Sequence, residues 1–322
     1  MEAACERTMI LPGRAATGTT GWQPALLMRE QTLAAVDRAR PVLYVHGATF
    51  PSACSIMFRF DRVSWADVLA CVGFSVWAFD FAGFGGSEAY PDDPQMARPP
   101  GQPLGRAPEA AGQIERVVRA VLAETGAARV SIIAHSWGTI AAGRFAAAHP
   151  DLVDRLVLFG PIVRRETVRE TPPLDPLRLV TIAQQYQRFV EDVPAGHPPV
   201  LLDRHFRLWA EAYLASDRHS AGRSPPSVRI PNGPAADIMA AWSGRLGYDP
   251  GLITAPTAIL RGEWDSLTTD ADAAWLMAAL TGTPEKRDIK IARGTHLMHL
   301  EESRGDLYRA TIAFLQGTEI AP

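Results

Sequence analysis

The sequence predicts an α/β protein built on a mostly parallel, doubly wound sheet. Three observations carry that expectation. Short apolar, β-branched runs alternate with stretches of helical spacing along most of the chain. The segments rich in candidate reactive residues follow directly on those runs. The alternation is interrupted once, from residue 161 to about residue 250, by a stretch that reads as helical. Unbroken apolar strands flanked by helices are what a parallel sheet needs, because both of its faces are covered.

The elements follow in order. Residues 1–40 hold two candidate strands, Met9-Ile-Leu and Ala25-Leu-Leu-Met, separated by a Gly/Thr-rich turn at 17–21, and a leading antiparallel pair is the expectation. Pro41-Val-Leu-Tyr-Val45 and Phe74-Ser-Val-Trp-Ala-Phe79 flank a helical spacing at Trp65, Val68, Leu69 and Val72. Strand, helix and strand with short links form a parallel βαβ unit. Residues 88–107 are rich in Pro, Gly and Asp and read as a loop. Pro108 to Thr125 follows as an amphipathic helix, with Pro108 in its first turn and Gly126 at its exit. Val130–Ile133 is a buried strand, residues 137–148 a helix, and Leu156–Phe159 another strand. In 161–250 the expected helices span roughly 176–193, 199–217 and 234–246, with no clear strand. The strand pattern returns at Thr257–Leu260 and Lys286–Ala292, with helices at Thr269–Leu280 and Ser303–Gln316.

Composition bounds the function. The chain has 322 residues, 47% hydrophobic and 21% charged, which suits a globular protein with a sizeable core. A net charge of -3 points to neither a nucleic-acid nor an anionic-membrane partner. Cys5, Cys54 and Cys71 are an odd set without metal-ligand spacing, as expected of thiols in a reducing compartment. The start, Met1-Glu-Ala-Ala-Cys-Glu-Arg, lacks an apolar signal region, and no run is long enough to span a membrane. The expectation is a cytoplasmic monomer or homodimer with no metal and no cofactor.

One stretch organises the chemistry. Ala134-His135-Ser136-Trp137-Gly138 lies between a strand and a helix, where a tight turn projects a serine from the end of a sheet. Such a turn needs small residues two before and two after the serine, and Ala134 and Gly138 meet that need. A serine hydroxyl is nearly un-ionised at neutral pH, so it needs a base to take its proton. An imidazole, with an unperturbed pKa near ~6.5, accepts and returns protons.

Four blocks together resemble the α/β-hydrolase fold over nearly the whole chain, in the form with a helical cap after the sixth strand. They are His46-Gly47, Asp80-x-x-Gly83-x-Gly85-x-Ser87, the Ser136 elbow, and the loops of Asp265 and His296. The resemblance implies a sheet of about eight strands. Its core is residues 1–160 and 251–322, and its cap is 161–250. It implies Ser136 as nucleophile, His296 as base and Asp265 as the acid that fixes the imidazole tautomer, in the chain order of the family. It places the oxyanion donors at the backbone N–H groups of Ala48 and Trp137. His299 competes with His296, and Glu263 with Asp265. His46 and Asp80 read as shaping residues. His46, Thr49, His135, Trp209 and Trp264 are candidates to line the substrate site. The implied activity is a serine hydrolase of the esterase, C–C hydrolase or proline-iminopeptidase-like group. It would cleave a carboxylic ester, lactone or related acyl bond in a small to medium, hydrophobic substrate. C–C cleavage, amide or peptide hydrolysis and a lyase step remain open on the same fold. So does a non-catalytic ligand binder that keeps the triad.

Overall fold

The computed structural model describes residues 4–15, 21–33, 40–91, 102–167 and 172–319. The turn expected at 17–21 and the middle of the 88–107 loop fall largely outside them. The chain begins with β1 (Ala4–Leu11) and β2 (Leu26–Leu33), an antiparallel pair as expected. Then come β3 (Pro41–Val45), α1 (Trp65–Cys71), β4 (Ser75–Phe79), α2 (Ala107–Thr125), β5 (Val130–His135), α3 (Gly138–Ala148) and β6 (Val153–Phe159). The segment that follows contains β7 (Leu177–Thr181), α4 (Ile182–Val190), α5 (Asp203–Ala215), β8 (Ser227–Pro231) and α6 (Gly233–Trp242). The sheet resumes with β9 (Thr257–Gly262), and α7 (Asp270–Ala279), β10 (Lys286–Ile291) and α8 (Arg304–Gln316) complete the chain.

Eight strands form one sheet in the order β1-β2-β4-β3-β5-β6-β9-β10. From β4 to β10 all neighbours are parallel, and β2 joins β4 antiparallel. The period of two sorts side chains between the faces. In β3, Leu43 and Val45 enter one core cluster, and Val42 and Tyr44 the other. In β5, Val130, Ile132 and Ala134 share the first cluster, and Ile133 enters the second. Helices α2, α3 and α7 cover the first face through Ile114, Val118, Ile140, Phe145 and Leu276. Helices α1 and α8 cover the second through Trp65, Leu69, Leu307 and Phe314. Each fully buried aliphatic or aromatic side chain contributes about 1.5–3 kcal/mol, so both layers are held chiefly by this burial.

The segment between β6 and β9 corrects one expectation. The helix read over 176–193 is a strand followed by a shorter helix, and β7 pairs antiparallel with β8, 46 residues downstream from Thr181 to Ser227. Thr181 caps α4 with Gln184 in a reciprocal capping box, so the helix starts there and not at 176. Chain connections change direction beside β3, with β4 on one side of it and β5 on the other. A crevice at the carboxyl ends of the strands is expected at such a point. No helix among the described residues is long and apolar enough to cross a membrane.

Candidate active site

Ser136 stands between the last residue of β5 and the first of α3, with φ of 56°. A non-glycine residue in the left-handed region costs on the order of 1–3 kcal/mol, and the surroundings must hold it there. They do so from two sides. The Ser136 N–H donates to the Phe159 carbonyl of β6 at 2.9 Å. The turn is clamped against the loop after β3: a Cβ on Gly138 would stand 2.5 Å from the His46 carbonyl oxygen. Only glycine fits there. Ala134, on the other side of the serine, is fully buried.

The loops after β9 and β10 bring two distant side chains to the serine. His296 Nε2 lies 2.8 Å from Ser136 Oγ, and its Nδ1 lies 3.0 and 3.1 Å from the two Asp265 oxygens. A carboxylate at Nδ1 accepts its proton, which leaves Nε2 to accept the serine hydroxyl. Both His296 and Asp265 are buried. Burial pushes the Asp265 carboxyl up. The His296 charge and hydrogen bond, with the N–H groups of Leu267 and Thr268, outweigh it and hold the carboxyl below its ordinary value. Gly160, at the end of β6, makes room for the pair. Its φ is +54°, and a Cβ there would stand 3.0 Å from the His296 ring.

The loop after β3 faces the same serine. A Cβ on Gly47 would stand 3.2 Å from Ser136 Cβ. Trp137 is the N-cap of α3, and its backbone N–H is one of those without an intrahelical partner. The ring of His46 is committed elsewhere. Its Nδ1 donates to the Gly47 carbonyl at 2.8 Å, and its Nε2 accepts from the Phe81 N–H at 3.0 Å. Burial pushes His46 down to about 4, so it is a neutral brace of this loop. Asp80 braces the neighbouring turn: it accepts from the Ser52 N–H and hydroxyl, from the Gly86 N–H and from Arg29.

The competing residues stand apart from the serine. Among the described residues none hydrogen-bonds either ring nitrogen of the buried His299, and burial pushes it down to about 3. Glu263 is exposed and accepts from the Arg293 N–H at 2.9 Å. His135 stacks on Phe159 and donates through Nε2 to the His296 carbonyl at 3.1 Å.

A cavity of about 600 Å³ opens over Ser136 and His296. Gly47, Ala48, Thr49 and His135 line it from the sheet side. Arg178, Gln185, Arg188, Ile238 and Trp242 line it from the segment between β6 and β9. Three expected lining residues lie outside it. Trp209 is fully buried, stacked on Tyr213 at 5.1 Å, with its indole N–H donating to the Cys54 carbonyl. Trp264 packs against His197 and under Arg293. His46 is turned into the core, as described.

Residues 40–303 match the family model described as the alpha/beta hydrolase fold. The chain belongs to the α/β hydrolase family. No curated protein matches its sequence. Among solved structures, this α/β hydrolase resembles a thioesterase domain from the curacin biosynthetic pathway, at 16% identity and a TM-score of 0.61, covering 97% of this chain and 99% of that one. It also resembles a monoacylglycerol lipase of Paleococcus ferrophilus, at 19% identity and 0.57, covering 91% and 98%. A third is an epoxide hydrolase mutant of Vigna radiata, at 14% identity and 0.58, covering 97% and 99%. At these identities the likeness is one of fold.

Sequence reasoning missed several residues around the site of this hydrolase. Asp192, just after α4, accepts the His296 backbone N–H at 3.4 Å. Asp237 of α6 accepts the Trp137 indole N–H. Arg188 and Asp192 are four apart, and the spacing is legible, but nothing in the sequence says which way that face points.

Proposed function

We propose that this α/β hydrolase is a serine hydrolase that cleaves a carboxylic ester, lactone or related acyl bond. The observation that carries the reading is the unbroken chain from Ser136 Oγ to His296 Nε2 and from His296 Nδ1 to Asp265, at the floor of a cavity. In this reading Ser136 attacks the substrate carbonyl carbon as His296 takes its proton. The carbonyl oxygen gains negative charge and is met by the N–H groups of Ala48 and Trp137. One such donor is typically worth about 3–4 kcal/mol in the transition state. His296 returns the proton to the leaving alcohol, and an acyl-enzyme remains. A water then gives its proton to His296 and attacks the acyl carbon, and His296 passes that proton to Ser136 Oγ as the acid leaves. Asp265 stays ionised throughout and orients the ring. The segment 161–250 acts as the cap that shapes the cavity.

The test is direct. A fluorophosphonate probe should label the wild type and not Ser136→Ala. A panel of 4-nitrophenyl esters should be turned over by the wild type, with kcat falling by about 10⁴-fold or more in Ser136→Ala. Labelling that survives the substitution would remove Ser136 from the nucleophile role. Labelling without turnover of any ester would favour the ligand-binder reading.

A further inference from the structure

Two arginines of the segment between β6 and β9 line the cavity that contains Ser136: Arg178 in β7 and Arg188 in α4. No Asp or Glu lines it among the described residues. Arg188 has anionic company, since it pairs with Glu191 and feels the Asp192 carboxylate. Arg178 has none. Among the described residues no carboxylate pairs with it, and its Nε is buried without a hydrogen-bond partner. Burial disfavours its charge first, Tyr213 opposes that, and the like charge of Arg188 adds to it. A desolvated guanidinium set beside a second cation is unfavourable unless something offsets it.

Gln185 points to the same conclusion independently. It is fully buried and lines the same cavity, three residues before Arg188. Among the described residues neither its Oε1 nor its Nε2 makes a well-formed hydrogen bond. The Tyr213 hydroxyl lies against it. Buried polar groups are paired in the great majority of native structures. Here the Gln185 amide and an unmatched cation line one cavity, beside the apolar Val180, Ile238 and Trp242.

We propose that the substrate carries a carboxylate besides the bond that is cleaved, and that Arg178 and Arg188 bind it with the Gln185 amide donating alongside. The substrate class is then the half-ester, or related acyl derivative, of a dicarboxylic acid, with an apolar chain between its two ends. A planar guanidinium matches a carboxylate through two parallel hydrogen bonds, which gives the site direction as well as charge. The substrate class rests on the serine-hydrolase reading of Ser136; the anion site does not.

Two substrates test it: 4-nitrophenyl pentanoate and the mono-4-nitrophenyl ester of glutaric acid. They differ by a terminal methyl against a terminal carboxylate. The wild type should prefer the charged ester by about tenfold or more in kcat/KM. Arg178→Gln should reduce that preference by about tenfold, chiefly through KM, and Arg178→Lys should restore part of it. Should Arg178→Gln not fold, Arg188→Gln serves for the same comparison. A second readout needs no turnover. Glutarate, but not glutaramide, should raise the melting temperature of the wild type, and the shift should be lost in Arg178→Gln. Turnover of both esters without charge preference, together with no glutarate shift, overturns the anion site and leaves the hydrolase standing. A glutarate shift without turnover of either ester keeps the anion site and removes the hydrolase.

Discussion

The indole N–H of Trp137 donates to Asp237 Oδ2 at 3.0 Å, joining the residue after the candidate nucleophile to α6. Asp237 also accepts the Ala107 N–H at 2.6 Å and pairs with Arg106, so one carboxylate ties α2, α3 and α6 together. Only 6% of it is exposed. Asp237→Ala strands two buried N–H groups and a cation. The expected loss is about 3–5 kcal/mol of stability, read as a lower denaturant midpoint at unchanged slope. Asp237→Asn keeps one acceptor and should lose about 1–3 kcal/mol. Equal stability of all three proteins would show that the tie contributes nothing.

Asp265 and Glu263 separate cleanly by geometry. In Asp265→Asn the ring loses its anionic partner at Nδ1 and can adopt the wrong tautomer, so kcat should fall by about 10³–10⁴-fold. Glu263→Gln loses one exposed contact to the Arg293 N–H and should stay within about twofold in kcat, with stability within about 0.5 kcal/mol. The reverse ranking in steady-state kinetics would transfer the acid role to Glu263.

At Gly160 a single added atom decides the outcome. Alanine there is strained by the +54° φ and puts a Cβ 3.0 Å from the His296 ring. A displacement of about 1 Å at a catalytic group costs about 100-fold, so Gly160→Ala should slow kcat by that order. Its phosphonate labelling should slow in parallel. Full activity in Gly160→Ala would mean that His296 tolerates displacement.

Glu301 gives a pH-dependent prediction for stability. Its carboxyl accepts the Thr295 hydroxyl at 2.8 Å, while its buried Oε1 has no partner among the described residues. Burial pushes it up to about 8, against 4.5 when solvated, with Asp192 and Asp265 adding to the rise. Between those values the folded chain binds a proton that the unfolded chain has released. The contribution is therefore complete below pH 4.5 and is lost as pH rises towards 8. Glu301→Gln mimics the protonated acid. It should match the wild type at the acid end and exceed it by on the order of 3 kcal/mol near neutrality. Melting curves across that range check it, and a gap independent of pH would refute the assignment.

The centre of the sheet was legible because β3, β4, β5 and β9 are buried on both faces. Runs such as Val42 to Val45 and Val130 to Ile133 leave no polar residue to blur the pattern except Ser131. The serine and the aspartate were legible because each follows such a run, and the histidine because it stands behind the last strand pattern, Lys286 to Ile291. The segment between β6 and β9 was not. Leu177-Arg-Leu-Val-Thr runs into α4 without a proline or glycine, and its partner β8 lies far along the chain. The helical spacing of Trp209 is real, but that face packs on Phe50 and Phe189. Arginines on a short amphipathic helix look like a solvated face, so the inward placement of Arg188 carries no signature in sequence.

The left-handed backbone of Ser136 and the cations facing it belong to different parts of the chain. The serine is fixed by rigid strand ends, whereas Arg178, Gln185 and Arg188 fall within a single stretch of 11 residues from β7 into α4. On the proposed anion site, grafting that one stretch between related hydrolases would exchange charge selectivity while the backbone of Ser136 stays where it is.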